Sequence, residues 1–262
     1  MAVPHDWVLS LGLVLAGLLA GFIDSIAGGG GLITLPVFSL LLGKGPLAIG
    51  TNKIAGTAAA LVALFIYARK GHFNWRSSLI FAVFVAGGAA LGSRISPLLP
   101  LWIFPWLLAV TCPFILWVVW KRNLWVEKVV VESVDAPKLN RLSRLPAIAI
   151  SGLVCGFYDG VWGPGGGTFM FLSLLFFAGL PILTALSASK FANTSSALVS
   201  LVSYNQQGFV RWWPGVVLAI GIAIGAWFGA THASRNAARL IRPVLAIVVL
   251  LLLIKVVATS LV

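Results

Sequence analysis

Gly17-Leu18-Leu19-Ala20-Gly21-Phe22-Ile23-Asp24 in the first half of the chain returns as Gly152-Leu153-Val154-Cys155-Gly156-Phe157-Tyr158-Asp159 in the second. A glycine run follows each copy: Gly28-Gly29-Gly30-Gly31, then Gly163-Pro164-Gly165-Gly166-Gly167. Beyond them, Ala48-Ile49-Gly50-Thr51-Asn52-Lys53 matches Ala185-Leu186-Ser187-Ala188-Ser189-Lys190. Gly71 and Trp75 match Gly208 and Trp212, and Gly88-x-x-x-Gly92 matches Gly225-x-x-x-Gly229. Chance likeness between apolar helices is common. A shared order of aspartate, glycine cluster, lysine and glycine pairs is not, and it marks an internal repeat.

The composition says where such a repeat lives. Of 262 residues, 60% are hydrophobic and 9% charged, against about a quarter charged in soluble domains. That excludes a soluble globular protein and a disordered chain. The net charge of +12 would suggest nucleic acid in a soluble protein. Here the surface faces lipid and the charge sits on loops, so nucleic acid is not a partner. Cys112 and Cys155 lie in apolar runs as packing residues, with no disulfide framework implied. His5, His72 and His232 are scattered, so neither a metal site nor a cofactor is expected. The first apolar run starts near Trp7 with no Lys or Arg before it, and reads as a retained helix.

Apolar segments run over Trp7–Ala27, Leu32–Leu42, Leu47–Ala68, Leu79–Gly92 and Leu101–Trp120, then Pro146–Trp162, Thr168–Ala178, Ile182–Tyr204, Trp213–Ala230 and Ile241–Val257. A helix needs roughly 20 residues to span a bilayer, and the segments starting at Leu32 and Thr168 are too short. The expected fold is therefore an all-α polytopic membrane protein. It has two repeats of about five helical segments each, with short broken helices after the glycine clusters. Residues 1–120 form the first repeat, 121–145 a polar cytoplasmic linker and 146–262 the second repeat.

The basic residues orient the halves. Arg69, Lys70 and Arg76 fall on one loop; Lys121, Arg122, Lys128, Lys138, Arg141 and Arg144 on the linker; Arg235, Arg239 and Arg242 on a third loop. Cytoplasmic loops carry the Lys/Arg excess, so these three belong inside. The loop after Ala68 is then inside and its partner near Gly208 outside, which inverts one repeat relative to the other. This is the transporter pattern of inverted-topology repeats. Both termini are expected outside.

Ionisable groups within the apolar segments are costly and usually functional. Each half supplies one aspartate and one lysine: Asp24 and Lys53, Asp159 and Lys190. They brace the fold as ion pairs, or they form a central site with the lysines as anion ligands and the aspartates as counter-ions or proton carriers. Lys255 has no counterpart and snorkels. The clusters at Gly29, Gly30, Gly31 and at Gly165, Gly166, Gly167 break a helix where it lines a cavity or is buried in protein. The helix N-termini beyond them suit an anion. Thr51, Asn52, Ser189 and Asn193 flank the lysines and offer hydrogen bonds to its oxygens. No nucleophile, base and orienting group assemble, so an enzyme is not expected.

Gly21-Phe-Ile-Asp-Ser-Ile-Ala-Gly-Gly-Gly-Gly-Leu-Ile-Thr-Leu-Pro36, followed by Gly50-Thr-Asn-Lys53, resembles the TauE/SafE family of sulfite/sulfonate exporter-like membrane proteins. The second half carries the same signature with Gly-Pro-Gly-Gly-Gly and Ser-Ala-Ser-Lys190, and the likeness covers nearly the whole chain. It implies a multi-pass permease of the bacterial inner membrane that exports small sulfur-containing anions such as sulfite or organosulfonates. With the residues, it yields an expected secondary transporter whose partners are a small anion and the lipid bilayer. A homo-oligomer is compatible with it. Two alternatives stay open: a permease for a cation or neutral solute, and a membrane assembly protein that moves nothing.

Overall fold

The computed structural model describes residues 6–73, 75–104, 106 and 141–235, and these form an all-α membrane protein. Among them are eight α-helices: α1 Trp7–Ala27, α2 Gly31–Leu42, α3 Pro46–Arg69, α4 Trp75–Ile95, α5 Arg141–Val161, α6 Gly166–Phe176, α7 Ile182–Gln206 and α8 Trp212–Arg235. A 3-10 turn, Ser96–Leu98, follows α4. The expected segment at Ile241–Val257, most of the one at Leu101–Trp120 and most of the linker lie outside the described residues, as do Lys255 and Cys112.

Helices α1, α3, α4 and α8 are long and apolar enough to cross a membrane. Helix α7 has 25 residues, but its buried face carries Ser187, Ser189, Lys190, Asn193, Thr194, Ser196 and Ser200. That face is polar because it looks into the protein, not into lipid. The short helices fall where expected. With 12 and 11 residues, α2 and α6 are about 18 and about 16.5 Å long, a little over half the hydrocarbon thickness. Both follow a glycine break. Gly28 ends α1 with φ +83°, its N–H donating to Asp24 O at 2.7 Å. Gly163 and Gly165 carry φ +100° and +77° between α5 and α6. These left-handed values are open to glycine at little steric cost.

Helices from different halves meet by backbone contact. A methyl group on Gly21 would lie 2.1 Å from the Ile222 carbonyl, and one on Gly225 would lie 2.0 Å from the Leu18 carbonyl. So α1 packs on α8 through the Gly17/Gly21 and Gly221/Gly225 pairs. The corresponding pair, α4 on α5, closes in the same way. Gly156 sits against the Val85 carbonyl and Gly88 against the Leu153 carbonyl, with added methyls at 2.0 and 2.2 Å. Small residues let helices approach closely where lipid supplies no hydrophobic drive. Helices α3 and α7 pack on one another inside this frame, with Gly50 tight against Tyr204. They carry the lysines.

The tryptophans divide by position. Trp75, Trp102, Trp106, Trp212 and Trp213 are exposed near segment ends, as an interfacial belt requires. Trp162 is buried and stacked on Phe104, with ring centroids 5.3 Å apart.

Candidate functional site

The two aspartates and two lysines pair across the halves. Lys53 Nζ on α3 lies 2.9 Å from Asp159 Oδ2 on α5 and also donates to the Asp159 carbonyl. Lys190 Nζ on α7 lies 2.8 Å from Asp24 Oδ2 on α1 and donates to the Asp24 carbonyl. The lysine side chains are 5% and 1% exposed, the aspartates 6% and 9%. A lysine this buried loses hydration worth several kcal/mol, and a bonded carboxylate is what compensates it.

Each aspartate also meets the start of its own short helix. Asp24 Oδ1 accepts from Gly30 N at 3.1 Å. Asp159 Oδ1 lies so near Gly166 that an added methyl would be 2.5 Å away. The helix N-termini expected to hold a substrate anion thus already face a resident carboxylate, as the helix dipole favours. Asp159 has one partner more, the Ser196 hydroxyl, which donates to Oδ2 at 2.6 Å. Ala59 stands at the matching position in α3, so Asp24 has no such hydroxyl.

The two glycine breaks touch. Gly28 packs on the Gly167–Thr168 peptide and Gly31 on Pro164, so closely that side chains would collide or crowd. Beside this junction lies a cavity of about 40 Å³, lined by Asp24, Asn52, Lys53, Asp159 and Asn193, the glycines Gly28, Gly31, Gly56, Gly163 and Gly167, and Ala197. Asn52 Oδ1 accepts from Thr34 Oγ1 at 2.5 Å, which leaves its amide N–H groups toward Gly31. Asn193 is 8% exposed and makes no hydrogen bond among the described residues; its Nδ2 faces Gly167. The two amides are not repeat-equivalents: Ser189 matches Asn52, and Gly56 matches Asn193. The cavity is asymmetric although the frame around it repeats.

Among the expected residues, Lys53, Asn52, Asn193, Gly31, Gly167, Asp24 and Asp159 meet at the cavity. Lys190 is bonded to Asp24 but is not itself among the lining residues. Gly30 and Gly166 abut the carboxylates, while Gly29 and Gly165 form the turns. Thr51 and Ser189 point elsewhere. Thr51 Oγ1 donates to Leu47 O at 2.7 Å and accepts from Arg211 N at 3.0 Å. Ser189 Oγ bonds back to Leu186 O at 2.7 Å. A hydroxyl that closes on its own helix is lost to a guest.

Sequence reading passed over several residues. Tyr67 OH donates to Ser25 O at 2.7 Å, and Tyr204 OH to Gly160 O at 2.8 Å. Each thus holds the carbonyl next to an aspartate, and the two tyrosines stand at the same distance beyond their lysines. Of the glycine clusters that the sequence marked, the first residues, Gly28 and Gly163, each four residues after an aspartate, also line the cavity. Among the described residues no group of three His, Cys, Asp or Glu side chains could hold a metal ion. Cys155 packs against Ser173, Sγ to Oγ 3.3 Å.

Comparison with known proteins gives the family and several relatives. Residues 13–256 match the family described as sulfite exporter TauE/SafE. A probable membrane transporter protein, ORF9, of Sinorhizobium sp. is 37% identical over 94% of this chain and 91% of its own length. A probable membrane transporter protein of Haemophilus influenzae is 34% identical over 90% of this chain and 89% of its own. The probable membrane transporter protein YfcA of Escherichia coli K12 is 30% identical over 90% and 85%. No solved structure matches. With a crossed pair of buried lysine–aspartate bridges around a glycine-walled cavity, the chain belongs to the sulfite exporter TauE/SafE family.

Proposed function

We propose that this protein is a secondary transporter of a small anion, of the sulfite or organosulfonate class, and works as an exporter in the inner membrane of a bacterium. The observation that carries this reading is the cavity where the two helix breaks meet. It joins an ammonium, Lys53, to the side-chain amide of Asn193, which has no hydrogen-bond partner among the described residues, and to glycine backbone. An amide on a cavity wall that makes no hydrogen bond to the described residues has N–H groups to offer an oxyanion. The volume, about 40 Å³, holds about three water molecules at the roughly 10–15 Å³ each needs. That suits a compact oxyanion in this conformation and asks for opening before a longer sulfonate can enter. The family description names a sulfite exporter, and the relatives are named membrane transporters without a substrate.

Alternating access would come from motion of one repeat against the other, with the repeats inverted and both termini outside. The crossed helix contacts support two bodies of matching build. Inside-negative potential favours exit of an anion by about 2.3 kcal/mol per charge per 100 mV. Flux of sulfite from proteoliposomes tests the proposal. Full wild-type flux in a Lys53→Ala/Asn193→Ala double variant would sink it. The two carboxylates on the cavity wall favour a second reading, a cation permease. Thermal stabilisation by alkali or divalent cations, and not by sulfite or sulfonates, would select that one.

A further inference from the structure

The cavity wall carries two carboxylates, Asp24 and Asp159, and one ammonium, Lys53. Lys190 is 1% exposed and engaged on Asp24. The site as it stands has no spare positive charge. An anion that displaced Asp159 from Lys53 would leave a bare carboxylate beside a second negative charge, with Asp24 on the same wall. Like charges sharing a site of low polarity cannot all stay ionised.

We infer that the anion is bound together with one proton, and that Asp159 takes that proton; this rests on the anion-transporter reading above. The proton comes from water and adds to Asp159 Oδ2. Lys53 keeps its bond to the Asp159 carbonyl and turns the N–H released by Oδ2 toward the anion. Ser196, which donates to Oδ2 at 2.6 Å, becomes the acceptor of the new acid O–H. One proton and one negative charge enter together, so a monoanion leaves the charge of the site unchanged.

The two aspartates are not interchangeable in this step. Protonating Asp24 would take the carboxylate from Lys190, which is 1% exposed and does not line the cavity. Asp24 Oδ2 has no hydroxyl partner among the described residues to accept an acid O–H, whereas Asp159 Oδ2 has Ser196. Asp159 is faced by Lys53 from α3, by Tyr204 from α7 through the adjacent Gly160 carbonyl, by Cys155 on its own helix and by Asp24 across the cavity. Helix α4 meets α5 through Val85, Ala89 and the Ser93 backbone, and α6 has no titratable residue. The step also breaks a bond between the halves, so loading the site loosens one repeat from the other.

Isothermal titration calorimetry of the full chain in detergent tests this, with methanesulfonate and sulfate as probes. Both stay ionised from weakly acidic to weakly alkaline solution. Titrations in buffers of different ionisation enthalpy count protons. The expected result is about one proton taken up per anion, with affinity falling by up to about tenfold per pH unit. Asp159→Asn should bind either probe with no proton uptake and no pH slope. Difference infrared spectra of the wild type should gain a protonated-carboxyl band when the probe binds, which keeps the test independent of how well that variant folds. Binding without proton uptake overturns the inference and leaves the transporter reading standing. Persistent uptake in Asp159→Asn overturns the assignment to Asp159. Failure of both probes to bind overturns the anion reading, and this inference with it.

Discussion

Lys53 and Asp159 are 106 residues apart in sequence and 2.9 Å apart in space, and the bond between them ties the first half of the chain to the second. Lys190 and Asp24 make the reciprocal tie. Each half holds one aspartate and one lysine, and neither pairs with the other of its own half.

Breaking one tie should therefore destabilise the whole protein. Lys53→Met leaves Asp159 buried without its cation, at a cost of about 3–5 kcal/mol. The double variant Lys53→Met/Asp159→Leu removes both charges and should recover most of that stability while transporting nothing. Thermal unfolding in detergent and flux in proteoliposomes separate the two effects. A double variant with normal flux would show that the pair is structural alone.

Asn193 separates function from stability in the other direction. Its amide makes no hydrogen bond among the described residues, so Asn193→Leu should be neutral or slightly stabilising in a melt. A hydrogen bond to a charged group is worth about 1.5–3 kcal/mol, so anion affinity should fall about tenfold to a hundredfold. Equal affinity in the variant would remove Asn193 from the site.

The tyrosines predict a matched pair of effects. Tyr67→Phe leaves the Ser25 carbonyl without its donor, and Tyr204→Phe does the same to Gly160. Each should cost about 1–3 kcal/mol, read as a lowered melting temperature with near-normal substrate affinity. A large effect at one tyrosine and none at the other would contradict the repeated geometry.

Glycines at the helix crossings should reject even a methyl group. In Gly225→Ala the new carbon would lie 2.0 Å from the Leu18 carbonyl. Overpacking of this kind costs about 1–3 kcal/mol or more. Gly12, by contrast, has nothing within 4 Å of an added methyl, and Gly12→Ala should gain up to about 1 kcal/mol in helix propensity. Yield of monodisperse protein after extraction ranks the two.

Much of this was legible in the sequence. The ends of α1 coincide with the apolar run Trp7–Ala27, because Asp6 caps its start through Val8 N and Gly28 stops it. The start of α5 was not legible from hydropathy. The helix begins at Arg141, ahead of the apolar run at Pro146, since a polar turn can extend a helix out of the membrane. Asp24, Asp159, Lys53 and Lys190 stood out because charge is rare in apolar segments. Which lysine takes which aspartate depends on how the halves dock, and no local pattern states that. Thr51 and Ser189 looked like ligands because they adjoin Asn52 and Lys190, but neighbours on a helix face about 100° apart. Tyr67 and Tyr204 lie far from the glycine clusters in sequence, and only their equal offset from the lysines marked them.

The crossing of the pairs also sets a timetable for synthesis. Asp24 and Lys53 leave the ribosome well before Asp159 and Lys190 exist. During that interval two uncompensated charges must enter the bilayer, each at about 2.5–3.5 kcal/mol on the insertion scale. The nascent first half therefore needs shelter, from the insertion machinery or from a provisional contact between its own aspartate and lysine. Lys53 meets its native partner when α5 is delivered, and Asp24 meets its own only with α7, so the two ties close in order, the second one late.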